Sequence, residues 1–339
     1  MRRIISYIIL ILFLTSLSSC EKAIMDEQET ENPVNTFDYL WKEVDQHYSF
    51  FKYKNIDWKQ IYNKYRPYVN DNLSDYELFN ILFEMLNELK DGHVNLISHF
   101  NVSRYEFDLQ AKNNYNERLI RENYISNKYY ITGPFKHDFI KDYNIGYIRY
   151  KSFSGNVSEF SMDFMLARFS KTEGIILDLR QNGGGSIQNI FRILEHFVKQ
   201  ETNIYKSYIK EGPEHENFSK VQMASVKPKG QYFYTDHPII VLVDRGSFSA
   251  TSFFSLATKA ISNIKLVGDT TGGGLGAPSG GQLPNGWTYR ISVSKTLSLN
   301  NENWENGVPP DYFVELDDSG VLNGEDAIID KAIDLILNP

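Results

Sequence analysis

The spacing of hydrophobic residues predicts helices in the first part of the chain. Between residues 36 and 95, apolar positions recur every three or four residues, which is typical of amphipathic helices. The segments with this spacing are FDYLWKEVDQHY, IDWKQIYNKYRPYV and SDYELFNILFEMLNEL. In the third segment Ser74 is followed by Glu77, the spacing of a capping box at a helix start. We therefore expect an N-terminal helical domain over residues 36–95, with its tyrosines and tryptophans in the core.

From residue 143 onward, short apolar runs alternate with helical segments. The strand-like runs are IGYIRYKSF, GIILDLR, HPIIVLVD and IKLVGD. The helix-like segments are EFSMDFMLARFS, SIQNIFRILEHFVKQ and the stretch after Ser249. Strands that are almost continuously apolar are covered on both faces, so residues 143–337 are expected to form an α/β core. Residues 96–142 alternate in polarity and are rich in turn residues, and they predict a small β insertion.

The N-terminus has the features of a secretory signal. The first twenty residues contain two arginines, a short apolar core and a small-residue stretch that ends at the only cysteine, Cys20. Leu17-Ser18-Ser19-Cys20 resembles a bacterial lipobox, in which the cysteine is lipidated; an ordinary buried thiol is the alternative. We expect a signal peptide over residues 1–19, a flexible tether over 20–35, and a membrane anchor at Cys20. The protein would then be a cell-envelope lipoprotein, periplasmic or surface-facing.

Composition excludes several other classes of function. The net charge is −8 and no basic cluster is present, so nucleic acid is not an expected partner. No HExxH motif occurs, and neither a metal nor a cofactor is expected. Residues 272–277 formally fit the GxGxxA pattern of a dinucleotide site, but no helix is predicted to follow. A mobile loop at the border of an active site is the better interpretation.

Two predicted strand ends carry residues suited to catalysis. GIILDLRQNGGGS ends a strand with three glycines before a helix, which leaves backbone N–H groups able to face a ligand. VDRGSFSATSFF places three serines, Ser247, Ser249 and Ser252, at a strand-to-helix turn. A serine there can be an exposed nucleophile, with the next backbone N–H aimed at an oxyanion. The alternative is a serine that only caps the helix.

Six segments in one order carry a resemblance to a known family. They are LKDGHVNL, IGYIRYKSF, GIILDLRQNGGGS, VLVDRGSFSATSFF, KLVGDTTGGG and ENGVPPDYFV. Together they resemble the tail-specific, or C-terminal processing, serine peptidases, whose wider family includes the tricorn protease core and the interphotoreceptor retinoid-binding repeats. The resemblance spans most of residues 89–314. It implies an α/β fold with a superhelical core like that of crotonase and Clp protease.

The resemblance also implies roles for individual residues. The family's nucleophile aligns with Ser249, and the oxyanion would be bound by the backbone N–H groups of Ala250 and Gly184. The lysine that many bacterial members use as a base falls on Gly274, so a serine–lysine dyad is absent. The tricorn-like branch uses a histidine and a glutamate instead, which match His93 and Glu305.

These residues lead to one main hypothesis of function and two alternatives. The main hypothesis is a lipid-anchored serine endopeptidase that hydrolyses peptides or unfolded proteins through an acyl-enzyme, with Lys295 as a reserve candidate for the base. About fifty residues separate His93 from Ile145, too few for the PDZ domain with which many relatives capture C-terminal tails. The alternatives are a catalytically inactive lipoprotein that binds peptides or lipids on the same fold, and a structural lipoprotein of the envelope.

Overall fold

The computed structural model describes residues 31–106 and 111–338. The expected signal peptide, Cys20 and most of the expected tether lie outside these residues. The first described helix begins at Pro33, with Asn32 as its N-cap, three residues before the predicted start of the helical domain. The helices are α1 (Pro33–His47), α2 (Phe51–Lys54), α3 (Trp58–Tyr65), α4 (Asp75–Asn87), α5 (Glu117–Leu119), α6 (Glu159–Phe169), α7 (Ile187–Leu194), α8 (Ala250–Thr258), α9 (Asp318–Leu322) and α10 (Ala327–Leu337). Within the described residues, none of them is both long and apolar enough to cross a bilayer.

The strands of the described residues form three sheets. They are β1 (Asn95–Ile97), β2 (Tyr130–Thr132), β3 (Phe135–Phe139), β4 (Ile145–Tyr150), β5 (Gly174–Asp178), β6 (Thr202–Ile209), β7 (Gln222–Val226), β8 (Ile239–Val243), β9 (Ile264–Gly268), β10 (Pro278–Gln282), β11 (Thr288–Ser292), β12 (Ser294–Leu297) and β13 (Tyr312–Phe313). The main sheet has the order β13-β9-β8-β5-β4-β3-β2, and the smaller sheets have the orders β1-β11-β10 and β12-β6-β7. The four predicted core strands are β4, β5, β8 and β9, which pair in parallel, so the prediction of an α/β core is confirmed.

Helices on both faces explain why the central strands are apolar throughout. Side chains alternate between the two faces of a strand. Ile175 and Leu177 of β5 therefore pack in the cluster that contains Phe254 of α8. Ile176, between them, packs on the opposite face in the cluster that contains Ile329 of α10. The candidate catalytic residues at the strand ends therefore follow strands that helices cover on both faces.

The N-terminal helical region is present and is joined to the core through the small sheet of β1, β10 and β11. Its buried aromatic residues, such as Phe37 and Phe79, share one hydrophobic cluster with Trp287 and Ile291. The capping box predicted from Ser74 is confirmed, with both reciprocal hydrogen bonds formed at the start of α4. Since β1 pairs antiparallel with β11, the loop between α4 and β1 is brought to the core.

Residues 96–142, predicted as a small β insertion, contribute two strands to the main sheet. Strands β2 and β3 continue the main sheet by antiparallel pairing beyond β4. The segment also contains α5 and a turn of π-helix over Ile120–Tyr124. Much of this part of the chain therefore belongs to the edge of the core.

A fully buried arginine, Arg180, forms ion pairs that link the end of β5 to the C-terminal helix α10. The Arg180 guanidinium donates to Asp178 at 2.6 Å and to Asp326, the N-cap of α10, at 2.9 Å. All three side chains have no solvent exposure. Burial, the largest single effect, raises the pKa of Asp178, but the charges of Arg180 and Arg149 and the hydrogen bonds from Arg180 and Tyr147 together outweigh it and lower that pKa. These contacts therefore hold the Asp178 carboxylate charged inside the fold.

Arg180→Met is expected to lower the free energy of unfolding by about 3–5 kcal/mol, because it leaves two carboxylates buried without their partner. Urea unfolding monitored by circular dichroism measures the change. The matched control is Arg118→Met, which removes an exposed ion pair with Glu122 and should leave the same free energy nearly unchanged. Equal effects from the two variants would contradict this account of the buried network.

Candidate active site

Ser249 lies on a sharp turn between β8 and α8 in an uncommon backbone conformation. Its φ is 55° and its ψ is −121°, a region that residues other than glycine rarely occupy. Such a conformation costs on the order of 1–3 kcal/mol and persists only where the surrounding structure enforces it. Ser249 occupies the N-cap position, yet its side chain makes no capping hydrogen bond. The hydroxyl is therefore available for chemistry rather than used to start the helix.

The two neighbouring serines are used structurally. The Ser247 hydroxyl is fully buried, accepts from the Asp244 N–H at 3.0 Å and donates to the Leu179 carbonyl at 2.9 Å. The Ser252 hydroxyl is also fully buried and donates to Thr271 at 2.9 Å. Ser249 is the partly exposed member of the three.

His93 lies within hydrogen-bonding distance of Ser249. Its Nε2 is 2.8 Å from the Ser249 Oγ, although 156 positions separate the two residues in the chain. The ring is 6% exposed and packs against Phe248, with 4.8 Å between ring centroids. Burial lowers the pKa of His93 from its usual value, so the imidazole is neutral at neutral pH. A neutral imidazole in this position can accept the serine proton.

Glu305 is buried beside the glycine loop that borders the imidazole. Its Oε2 accepts from the Leu275 N–H at 2.6 Å, and its backbone carbonyl accepts from the Gly274 N–H at 2.9 Å. Burial raises the pKa of Glu305 well above its usual value, and the charge of Asp91 raises it further. The buried Nδ1 of His93 has no hydrogen-bond partner within the described residues. Glu305 therefore has no direct hydrogen bond to the imidazole.

The glycines of the predicted oxyanion site pack directly against the serine. A Cβ added to Gly184 would lie 2.8 Å from the Ser249 Cβ and 2.9 Å from the Ala250 backbone nitrogen. Within the described residues the Ala250 N–H has no hydrogen-bond acceptor. The Gly184 N–H, in contrast, donates to the Asn182 side-chain oxygen at 3.0 Å. Binding of an oxyanion by Gly184 would require the N–H to exchange this partner.

Two positions concern a lysine as the catalytic base: Gly274, where many relatives have that lysine, and Lys295, the reserve candidate. A Cβ at Gly274, where φ is +76°, would lie 2.5 Å from the Phe248 ring and 3.1 Å from the His93 Cε1. Phe248 thus fills the space that a lysine side chain would need at position 274. The Lys295 ammonium lies over the Phe218 ring, 3.6 Å from its centroid, and near Tyr208. Tyr208 lies on β6, which pairs with the strand of Lys295, and Phe218 lies in the loop between β6 and β7.

Asp91 lies two residues before His93 in the same segment and was not predicted from the sequence to belong to the site. Its Oδ1 accepts from the His93 N–H at 2.8 Å. Its Oδ2 accepts from the Tyr48 hydroxyl at 3.0 Å and from the Ser292 hydroxyl at 2.9 Å. The available signal was local, since an aspartate that bonds the N–H two residues onward is a common turn element. The distant partners, Tyr48 directly after α1 and Ser292 on β11, had no sequence signal.

An extended groove passes over the serine turn. Two cavities of about 590 and 640 Å³ have four residues in common, Gly92, Tyr105, Arg245 and Phe248. The first also borders Asp91, Gly274 and Glu305, and the second borders Gly183. We refer to the two cavities together as the active-site groove. Because Phe248, which precedes Ser249, borders both cavities, a ligand that lies across them would pass the serine turn.

Comparison with known families gives the class of this protein. Residues 144–314 match Peptidase family S41, and residues 30–87 match the Tricorn protease C1 domain. The first match covers just over half of the 339 residues. The chain therefore belongs to peptidase family S41, a family of serine-type peptidases.

Relatives of known sequence agree with this membership. The chain is 31% identical over 191 residues to the carboxy-terminal processing protease CtpA of Bacillus subtilis (strain 168), a match that covers 56% of this chain and 39% of the relative. It is 30% identical over 172 residues to the carboxyl-terminal-processing protease of Picosynechococcus sp. (strain ATCC 27264 / PCC 7002 / PR-6). This match covers 50% of this chain and 39% of the relative. The chain thus spans about two fifths of the length of these relatives.

Solved structures share the fold over almost the whole chain. A candidate peptidase from Parabacteroides merdae ATCC 43184 is similar with a TM-score of 0.86 and 37% identity, covering 90% of this chain and 97% of that one. Mature CPAF is similar with a TM-score of 0.71 at 12% identity, covering 91% and 98%. The tricorn protease is similar with a TM-score of 0.51 at 19% identity, and the match covers 90% of this chain and 36% of that one. The last two likenesses establish the shared fold.

Proposed function

We propose that this protein is a serine endopeptidase with Ser249 as its nucleophile, His93 as its general base and Glu305 as the third member of the triad. The observation that carries the proposal is the 2.8 Å contact between His93 Nε2 and Ser249 Oγ. The positive φ of Ser249 supports it, because a strained serine at a strand-to-helix turn is typical of an activated nucleophile.

The reaction follows from these positions. Ser249 attacks the scissile carbonyl while His93 takes its proton at Nε2, and the resulting imidazolium gives that proton to the leaving amine. Water then attacks the acyl-enzyme with His93 again as base. The Ala250 N–H, which has no acceptor within the described residues, would bind the developing oxyanion, together with an N–H of the Gly183–Gly185 run.

Glu305 acts through the loop that it anchors. Its carboxyl group holds the Leu275 N–H, and its carbonyl holds the Gly274 N–H, so it fixes the backbone that packs against His93. The buried Nδ1 of His93 lacks a protein partner within the described residues. A water between Nδ1 and a carboxyl oxygen would satisfy it.

The substrates we propose are peptides or unfolded protein segments bound in the active-site groove. The two adjoining cavities beside Ser249 and the membership of family S41 support this choice, and a relative from Bacillus subtilis is a carboxy-terminal processing protease. A fluorophosphonate probe tests the proposal, since it should label the wild-type chain at Ser249. A protein that binds peptides but does not react with the probe would be the inactive binding protein instead.

We also propose that the protein is a lipoprotein of the cell envelope, anchored through Cys20. The support is the lipobox-like segment that ends at this cysteine. In a bacterial host, the full-length chain is expected to incorporate an alkyne fatty acid and to sediment with membranes, and Cys20→Ala should lose both properties. Ser249→Ala is the control and should keep both. Label that remains on Cys20→Ala would refute the anchor at this residue.

A further inference from the structure

One charged side chain borders both cavities of the active-site groove. Arg245 lies on the turn after β8, four positions before Ser249, and it is one of the four residues that the two cavities have in common. The other three are Gly92, Tyr105 and Phe248. An arginine side chain is not deprotonated in proteins. A peptide that lies across both cavities would therefore pass a positive charge close to the nucleophile.

Two backbone carbonyl groups fix one side of the Arg245 guanidinium. Its Nη1 donates to the Thr271 carbonyl at 2.7 Å and to the Asn306 carbonyl at 3.0 Å. Thr271 precedes the glycine loop and Asn306 follows Glu305, so both acceptors belong to segments that border the proposed triad. The two bonds use both hydrogens of Nη1. Because a guanidinium is planar and rigid, they set the orientation of the whole group.

The opposite side of the guanidinium has no partner within the described residues. A guanidinium has five N–H donors, so three remain on Nε and Nη2. Both hydrogen bonds that Arg245 forms in the described part of the chain come from Nη1, and it forms no ion pair there. Nε and Nη2 together make a fork of two parallel donors, which matches the two oxygens of a carboxylate. The groove therefore contains an oriented fork that can receive a carboxylate.

Carboxyl groups that border the same cavities have other partners. Asp244, the preceding residue, is 2% exposed and accepts from the Gln181 backbone N–H at 2.8 Å. Glu88 forms an ion pair with Lys64 at 2.5 Å. In the residues that the structure describes, neither carboxyl group pairs with Arg245. The positive charge shared by the two cavities is therefore left for a ligand to neutralise.

We propose that Arg245 binds a carboxylate of the substrate and selects peptides that have an aspartate or glutamate close to the scissile bond. The position of Arg245 favours an acidic side chain over a chain terminus. A peptide that fills both cavities passes Arg245 in its interior, whereas a terminal carboxylate at Arg245 would leave one cavity without peptide. This inference rests on the proposed function and names the substrate class of that same site.

The experiment compares acidic and neutral peptides on the wild-type chain and on Arg245→Gln. The probes are pools of internally quenched octapeptides in which one position is fixed as Glu or as Gln, each made with a free and with an amidated C-terminus. At a position near the scissile bond, the wild-type chain is expected to have a kcat/KM about 10- to 100-fold higher with Glu than with Gln, the usual effect of a hydrogen bond to a charged group. Arg245→Gln should cleave the two pools at nearly equal rates. Arg118→Gln, outside the groove, is the control and should keep the wild-type preference.

The Glu-to-Gln ratio of kcat/KM separates substrate binding from a structural role. If Arg245 only held the Thr271 and Asn306 carbonyls, Arg245→Gln would lower kcat/KM for both pools by the same factor. An unchanged ratio would therefore overturn the proposal, and so would a wild-type chain without preference for Glu. A preference for free over amidated C-termini alone would also overturn it, because the bound carboxylate would then be the terminus.

Arg245→Lys decides the question if Arg245→Gln does not fold. Lysine keeps the positive charge but lacks the fork of parallel donors. This variant is expected to cleave both pools with a Glu-to-Gln ratio several-fold below that of the wild-type chain. A ratio equal to the wild-type value would contradict recognition by the fork. Circular dichroism shows whether each variant is folded.

Failure of the proposed function can be distinguished from failure of this inference. Fluorescence titration of the same pools with Ser249→Ala measures binding without cleavage, and its Kd is expected to be about 10-fold lower with Glu than with Gln. Adding Arg245→Gln should abolish that difference. If the wild-type chain shows no fluorophosphonate labelling that depends on Ser249, the peptidase proposal fails, and the Kd ratio still tests the carboxylate site. Labelling at Ser249 without any preference for Glu would refute only the role of Arg245.

Discussion

Replacing Ser249 with alanine is expected to lower peptide hydrolysis by about 10⁴-fold or more and to abolish fluorophosphonate labelling. The variant removes the only hydroxyl within the described residues that contacts the Nε2 of His93, so no acyl-enzyme can form. The fold should be retained, because the Ser249 side chain caps no helix. A fluorogenic peptide assay with circular dichroism measures both properties.

Two further variants serve as the control and as the comparison for Ser249→Ala. Ser170→Ala removes an exposed hydroxyl outside the site and should leave hydrolysis unchanged. His93→Ala should cost nearly as much as Ser249→Ala, because members of one proton relay act as a unit. Hydrolysis that survives Ser249→Ala would point to Ser247 or Ser252. Hydrolysis that survives His93→Ala but falls in Lys295→Ala would transfer the role of base to the lysine.

Gly184→Ala is expected to lower kcat by about 100- to 1000-fold, the usual effect of losing an oxyanion donor. At φ +96°, the new Cβ would lie 2.7 Å from the Phe248 carbonyl oxygen, 2.8 Å from the Ser249 Cβ and 2.9 Å from the Ala250 nitrogen. These are backbone or near-backbone atoms that cannot turn aside, so the glycine loop must move away from the start of α8. Steady-state kinetics with burst analysis measure the loss of acylation.

The matched control for this second result is the adjacent Gly183→Ala. A Cβ at Gly183 has no heavy atom within 4 Å, and φ there is not in the left-handed region. This variant should therefore lose no more than a few-fold in kcat. Urea unfolding must show that Gly184→Ala is still folded under assay conditions. Comparable kcat values for the two alanine variants would exclude Gly184 from the oxyanion site.

Local pattern explains why so much of the core could be predicted. A run such as Ile239–Val243 is apolar at every position, and only a strand covered on both faces accommodates such a run. The capping box at Ser74 is likewise encoded within four residues. The order of six segments identified the family, and with it Ser249 and His93 as a candidate pair. Each of these inferences depends on residues that are near one another in the chain or on their order along it.

The tertiary structure decided the rest, because it depends on which distant segments pack together. Nothing local to Asp91 indicates that Tyr48 and Ser292 will donate to its carboxylate. The bond from the Gly184 N–H to Asn182 and the absence of a direct bond between Glu305 and His93 likewise follow from packing, within the described residues. The sequence by itself determined the α/β core and the family, and it supplied the candidate catalytic residues. Packing alone decided how those residues share hydrogen bonds and charge, since burial and electrostatic fields arise only once the chain has closed around them.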